Sequence, residues 1–149
     1  MKSYLGDKLF IAGHKGMFGS AILRRLKGNY DGEIILKSKD ELNLTNQSET
    51  FKFFKESKPS CVILAAAKVG GIKANQKNKS KFLYENLMIQ NNVIHSAFLN
   101  GTKKLLFLGS SCIYPRNCTQ PMKEEELLSG SLEKTNEGYS VAKIAGLKL

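Results

Sequence analysis

The chain has 149 residues, with 23 Lys and Arg against 13 Asp and Glu, a net charge of +10, and 42% hydrophobic residues. That is the balance of an ordinary soluble globular domain with enough length for a real core. It contains no apolar run approaching the ~20 residues of a membrane helix. The opening Met1-Lys2-Ser3-Tyr4-Leu5-Gly6-Asp7-Lys8 lacks the apolar core of a signal peptide, so the expected location is the cytoplasm.

In chain order, Lys8 to Ala12 reads as a short buried strand running straight into glycine. From Met17 to about Lys27, apolar residues at Phe18, Ile22 and Leu26 recur with helical spacing. Glu33 to Lys37 is a second strand, and Glu41 to Leu44 a brief extended piece. Thr45 is placed to cap a helix that carries Phe51 and Phe54 and ends before Pro59. Cys61 to Ala67 is a nearly continuous apolar run, as expected of a strand covered on both faces. A long helix follows from about Ser80 to Leu99, with Leu83, Leu87, Ile94 and Ala97 as its core stripe. Leu105 to Leu108 is the next strand, a polar loop comes after it, and the last helix begins near Gly138. Strands alternating with helices argue for a parallel sheet covered on both faces, the first half of a doubly wound, Rossmann-like α/β fold.

Three stretches carry chemistry. Gly13-His14-Lys15-Gly16-Met17-Phe18-Gly19 joins the first strand to the first helix. Glycines at that junction allow a tight turn, close backbone approach to a pyrophosphate, and close packing of helix on strand. The helix N-terminus offers free N–H groups and a positive dipole end to phosphate. His14 either touches such a cofactor or faces solvent. At the end of the second strand, Lys39 together with Lys15 favours a 2′-phosphate and hence NADP, while Asp40 keeps NAD open.

Gly109-Ser110-Ser111-Cys112-Ile113-Tyr114-Pro115 follows the fourth strand, where ligands bind in open parallel sheets. A serine hydroxyl there suits a substrate oxygen that gains charge during hydride transfer. Cys112 has two readings, a thiol acting as acid or base and a small half-buried filler. Tyr114, before proline, reads as a packing and turn residue. His95, beside the stripe of the long helix, reads as structural.

Tyr139 and Lys143 lie four residues apart, on one face of a helix. An ammonium beside a phenol favours the phenolate and lowers its pKa, making Tyr139 a candidate proton donor and acceptor.

Other classes fit less well. Cys61, Cys112 and Cys118 are odd in number and have no metal-ligand spacing, so neither a disulfide framework nor a metal site is expected. The lysines are dispersed apart from a loose cluster at Lys73, Lys77, Lys79 and Lys81, with no aromatic ladder. A solvated basic face or attraction to a polyanionic small molecule accounts for them better than nucleic acid does.

Taken together, the three-glycine turn, Ser110 and Tyr139-x-x-x-Lys143 resemble the extended short-chain dehydrogenase/reductases that act on nucleotide sugars. Longer blocks, Ile11 to Met17, Leu64 to Ile72, Leu105 to Pro115 and Thr135 to Gly146, are similar to the branch that epimerises and reduces a GDP-bound keto sugar. The resemblance implies epimerisation at C3 and C5 of GDP-4-keto-6-deoxy-D-mannose, followed by NADPH-dependent reduction at C4. It implies that Tyr139 protonates the C4 oxygen, Lys143 lowers its pKa and holds the nicotinamide ribose, and Ser110 binds the ketone. Cys112 becomes the epimerisation base. Gly13 to Gly19 and Leu108, Gly109, Ser110 and Ser111 become cofactor contacts, with Lys15 and Lys39 at the 2′-phosphate. Lysine stands at both places where relatives often carry arginine, keeping the charge and losing the fork. Gly138 stands where proline is common, which would loosen the helix start.

The resemblance also implies further strands and a second, substrate-binding domain beyond Leu149, so the sheet is read as incomplete at its C-terminus. The whole of 1–149 is then a partial NADP-binding domain, expected to pair as a homodimer at full length and to bind cofactor without turnover by itself. A non-catalytic nucleotide-binding module and a related epimerase or reductase with another substrate are the alternatives.

Overall fold

The structure, a computed structural model, describes residues 5–149. The stretch read for a leader therefore lies, at residues 1–4, outside the described residues. Four parallel strands, β1 (Lys8–Ala12), β2 (Glu33–Ile35), β3 (Cys61–Leu64) and β4 (Lys104–Phe107), form one sheet in the order β2-β1-β3-β4. Phe10 pairs with Ile35 on one side and Val62 on the other, and Val62 pairs in turn with Leu105. The helices are α1 (Met17–Leu26), α2 (Gln47–Ser57), α3 (Ile72–Lys77), α4 (Lys79–Leu99) and α5 (Glu137–Lys148). This is the Rossmann-like α/β architecture expected. The chain order reverses at β1 and β3, which puts a topological switch point beyond their carboxyl ends.

The chain divides into two compact units, one made of residues up to Ala67 with Met88–Leu108, the other of Lys68–Leu87 with Gly109–Leu149. The first holds the sheet and both of its covers. Strand residues alternate between faces. Phe10, Ala12, Val62 and Leu64 therefore pack with Phe54 of α2 and Val93 and Ala97 of α4. Leu9, Ile11, Cys61 and Ile63 pack with Leu26 of α1 and Tyr30. Cys61 is the small core residue expected, 4% exposed, and burial pushes its thiol up. Phe10 meets Phe54 edge to face at 5.9 Å between centroids, the favoured geometry for paired rings. On β4, an outer strand of this sheet, Leu106 is exposed, as are Phe98 and Leu99 at the end of α4.

Several boundaries differ from expectation. β2 stops at Ile35, the partner of Phe10, and β3 stops at Leu64, the partner of Ala12 at the end of β1. No strand forms over 41–44, which runs from a turn at 39–41 to another at 44–45. The Glu41 carboxylate accepts from the Ser38 N–H at 2.8 Å and from its hydroxyl at 2.6 Å. The Ser38 carbonyl accepts from the N–H groups of Glu41 and Leu42. The cap of α2 is Asn46, whose side chain accepts from Glu49 N–H at 3.2 Å while donating to the Glu49 carboxylate at 2.7 Å. Thr45 spends its hydroxyl on Asn43 Oδ1. On α4 the buried residues are Phe82, Asn86, Gln90, Asn92, Val93, Ser96 and Ala97, a more polar stripe displaced from the expected one.

In the second unit, Asn86 closes two hydrogen bonds with the backbone of Lys68, accepting from its N–H at 2.8 Å and donating to its carbonyl at 3.0 Å. Asn75 of α3 donates to the carbonyls of Gly70 and Gly71. Gly138 does not loosen α5. A Cβ there would stand 2.7 Å from the Lys79 carbonyl oxygen, so glycine is what lets the start of α5 lie against the start of α4.

Candidate active site

The glycine turn follows β1 at the switch point. Gly13 has φ +88, a left-handed conformation that side chains resist, and a Cβ there would lie 2.6 Å from the Ala66 backbone nitrogen. Gly19 is closed in equally, its would-be Cβ reaching 2.2 Å from the Gly13 carbonyl oxygen. Those two glycines are required by packing. Gly16 is different: it is the N-cap of α1 in extended conformation, with no side-chain cap and no acidic residue in the first turn. The N-terminal N–H groups of α1 are therefore left to an outside acceptor, and a bound phosphate fits that need. His14 adds a second sign, since its Nδ1 is buried with no hydrogen-bond partner among the described residues. Lys15, Met17 and Phe18 are exposed along the turn.

At the end of β2, Lys39 and Asp40 are both exposed. The residue that organises this corner is Glu41. Its carboxyl is held below the usual range first by the Ser38 hydroxyl and backbone N–H, with help from the charges of Lys37 and Lys15. Ser38-x-x-Glu41 has capping-box spacing, a signal present in the sequence but masked by the strand reading of the segment.

The second unit gathers the other group. Ser110 caps a 3-10 turn, Ser111–Ile113, whose backbone presents Cys112 two residues on. The Cys112 N–H donates to Ser110 Oγ at 3.4 Å and its thiol donates to the same oxygen at 3.1 Å. Helix α5 packs against this turn and brings Tyr139 near enough for the Ser110 hydroxyl to act on the phenol. Lys143, one helical turn on, is buried, and its ammonium stands 5.8 Å from the Tyr139 ring centroid. Ser110, Cys112, Tyr139 and Lys143 thus form one cluster. Ser111 and Gly109 are exposed beside it, and the Leu108 N–H is tied to the Leu64 carbonyl at 3.3 Å in the first unit.

The electrostatics correct one expectation. Burial pushes the Tyr139 phenol up, the Cys112 sulfur adds to this, and the Ser110 hydrogen bond pulls the other way. Burial also holds the Lys143 ammonium below the usual lysine range, with Cys112 opposing. The lysine therefore does not lower the phenol's pKa in the chain by itself, because desolvation disfavours phenolate and ammonium alike. What the arrangement supplies is a phenol that stays protonated at neutral pH, ready to donate.

A consequence is measurable. Because Lys143 has a lower pKa folded than unfolded, the unfolded chain binds more protons between the two values, and stability rises with pH across that window. Lys143→Met should flatten that rise and increase the melting temperature at pH 7 by a few degrees, about 1 kcal/mol. A loss of stability at pH 7 in this variant would show that the ammonium's partners outweigh its burial.

No group of three or more His, Cys, Asp or Glu able to hold a metal occurs among the described residues. Nor is any described helix long and apolar enough to cross a membrane.

GDP-L-fucose synthase of Sinorhizobium fredii is 54% identical over 151 residues, covering 100% of this chain and 48% of that protein. The GDP-L-fucose synthase of Escherichia coli is 55% identical, covering 96% of this chain and 44% of its own length. Among solved structures, MlghC, a GDP-mannoheptose C4 reductase from Campylobacter jejuni with NADP bound, superposes with a TM-score of 0.90 at 48% identity, covering 94% of this chain and 44% of that one. The chain spans under half the length of the curated relatives it matches. Residues 9–149 match the profile of one family throughout, from the strand that leads into the glycine turn to the helix that carries Tyr139 and Lys143. The chain belongs to the NAD dependent epimerase/dehydratase family.

Proposed function

We propose that this chain is the cofactor-binding part of an NADPH-dependent 3,5-epimerase/4-reductase that converts GDP-4-keto-6-deoxy-D-mannose to GDP-L-fucose. The observation that carries the reading is the cluster of Ser110, Cys112, Tyr139 and Lys143 in one unit. Identity of 54% and 55% to two GDP-L-fucose synthases supports the choice of substrate.

The bound NADPH supplies hydride to C4 of the sugar. Gly16 and the free N–H groups at the start of α1 would receive its pyrophosphate, with His14, Met17 and Phe18 as further contacts. Lys15 and Lys39 would hold the 2′-phosphate, and Leu108, Gly109 and Ser111 would contact the cofactor. Tyr139, kept protonated by burial, gives its proton to the C4 oxygen. Ser110 holds that oxygen, and Lys143 binds the nicotinamide ribose and offsets the phenolate left behind. Cys112 acts as the base at C3 and C5, and each carbon regains a solvent-derived proton on its opposite face from a second acid. The full-length protein acts in the cytoplasm as a homodimer, with residues 1–149 forming part of its NADP-binding domain.

The test is turnover by the complete gene product with NADPH and the 4-keto sugar nucleotide in deuterated water. The proposal expects NADPH oxidation together with deuterium at C3 and C5 of the product. Replacing Lys15 and Lys39 together by alanine should weaken NADPH binding by about ten- to hundredfold while leaving NADH nearly unchanged. Equal affinity of the parent for NADH and NADPH would defeat the roles given to the two lysines.

A second reading has its own observation. The likeness to a GDP-mannoheptose C4 reductase at 48% identity favours a reductase without epimerisation. NADPH oxidation with no deuterium at C3 or C5 would select it.

A further inference from the structure

We propose that the protonation state of Cys112 decides where the one proton of Ser110 points, and so which of its two reactions the site performs. The inference deepens the epimerase/reductase reading and rests on it. Ser110 Oγ accepts from the Cys112 thiol at 3.1 Å and from the Cys112 N–H at 3.4 Å. Ser110 is the cap of a 3-10 turn and Cys112 its second residue, so the pairing is set by the local fold. A serine hydroxyl has two lone pairs and a single proton. While Cys112 is a thiol it donates into Ser110, and the serine proton is left free for the C4 ketone oxygen. A thiolate has no proton to give. The hydrogen bond between the two atoms then needs the serine proton, and a charged acceptor takes it in preference to a neutral ketone. A thiolate at 112 and a serine hydroxyl donated to the ketone therefore exclude each other.

Epimerisation starts from the thiolate. Cys112 takes a proton from C3 or C5, so that a C–H bond breaks and an S–H bond forms. The electron pair left on carbon moves onto the C4 oxygen as an enolate. The negative charge has then left sulfur, and the serine proton turns to follow it to that oxygen. The second acid returns a solvent-derived proton to the opposite face of the carbon, and Cys112 gives its own proton to solvent. One proton leaves and one enters, and nothing is oxidised or reduced. Reduction starts from the thiol. The ketone carbon accepts hydride from NADPH, which becomes NADP, the carbonyl electron pair becomes charge on the C4 oxygen, and Tyr139 protonates that oxygen. The developing charge needs the Ser110 donor, which is free only while Cys112 holds its proton. The thiolate thus equips the site for exchange and the thiol equips it for reduction, in which Cys112 serves as a positioning residue acting through Ser110.

The experiment fixes the charge at position 112 in the complete gene product. Hydride transfer is read as NADP reduction by GDP-L-fucose, the reverse reaction, which needs no epimerisation and passes through the same transition state. Cys112→Ser, a neutral donor, is compared with Cys112→Asp, an anion at neutral pH, both with Ser110 present and in a Ser110→Ala background. With Ser110 present, Cys112→Asp should be slower than Cys112→Ser by about 10²-fold, the usual worth of one oxyanion donor. In the Ser110→Ala background the two should agree within about threefold. No difference with Ser110 present would overturn the proposal. So would an equal difference in both backgrounds, which marks repulsion through space. Where Cys112→Asp does not fold, the parent and Cys112→Ser are followed against pH, with iodoacetamide alkylation of Cys112 as the measure of thiolate. Tyr139 and Lys143 face Cys112 from α5 and are kept in both enzymes, so their titration cancels in the ratio of rates. That ratio, parent to variant, should fall by about tenfold or more as alkylation rises. A constant ratio, or a Cys112 unreactive at every pH, would overturn the switch. Turnover of the parent is decided separately. A parent that epimerises and reduces without these effects loses only the switch, whereas one that does not oxidise NADPH with the 4-keto sugar nucleotide loses the reading beneath it.

Discussion

Tyr139→Phe in the complete gene product is expected to lower kcat for NADPH oxidation by about 10²–10⁴-fold, the usual worth of a positioned general acid. NADPH affinity should stay within about threefold, because the ring and its packing on the 3-10 turn are retained and only the hydroxyl is lost. Deuterium exchange at C3 and C5 should continue, which would separate the reduction acid from the epimerisation base. Cys112→Ser should show the converse, with exchange suppressed and cofactor binding intact. A Tyr139→Phe enzyme that reduces at normal rates would remove the phenol from the chemistry, whatever its place beside Ser110.

The second large effect concerns the glycine turn, where two substitutions of the same kind should behave in opposite ways. Gly13→Ala puts a side chain into a left-handed backbone with its Cβ 2.6 Å from the Ala66 nitrogen. Adding the conformational cost to that of overpacking, about 2–5 kcal/mol of stability should be lost. Thermal or denaturant unfolding would show it without any cofactor. At Gly16 a Cβ meets its nearest neighbour, the Gly13 carbonyl oxygen, at 3.4 Å, and the backbone is extended. Gly16→Ala should therefore leave stability within about 0.5 kcal/mol and reduce NADPH affinity by crowding the pyrophosphate. Should Gly16→Ala bind NADPH as the parent does, the turn would be a packing device and the phosphate site would lie elsewhere.

Much of this fold was legible because its elements are nearly continuous apolar runs set against glycine. β1 and β3 are such runs, and a strand buried on both faces cannot hide polar residues. The glycine turn was legible for the same reason, since it interrupts the pattern where a helix begins. What escaped was held by side chains and not by periodicity. α3 is six residues, Ile72–Lys77, too short to show a period, and Asn75 pins the glycines before it. The segment after β2 looked extended because Leu42 and Leu44 alternate with polar residues, yet Glu41 reaches back to Ser38 and makes it a turn. Thr45 and Asn46 are both cap residues, and Glu49 chooses between them only through its own carboxylate.

The candidate site shows the same division. The helical spacing of Tyr139 and Lys143 was readable, and so were the residue types at 110 and 112. The direction of the phenol's pKa was not, because it depends on how much water the packed turn and helix exclude, which no local spacing reports. Nor was the Cys112–Ser110 hydrogen bond, since residues two apart face each other only once the chain has tightened into a 3-10 turn.

Asn86 carries a last consequence. A carboxamide presents one donor group and one acceptor, the same pair that a peptide unit presents to its neighbour in a sheet. By accepting from Lys68 N–H and donating to Lys68 carbonyl, this side chain acts as a one-residue surrogate strand. It satisfies the backbone at the point where the main chain, four residues past the end of β3, has no ladder left to join. The surrogate is chemically exacting. Aspartate keeps the acceptor but not the donor, and leucine of similar size keeps neither, so the loop that follows β3 depends for its shape on one amide nitrogen and one amide oxygen borrowed from a helix.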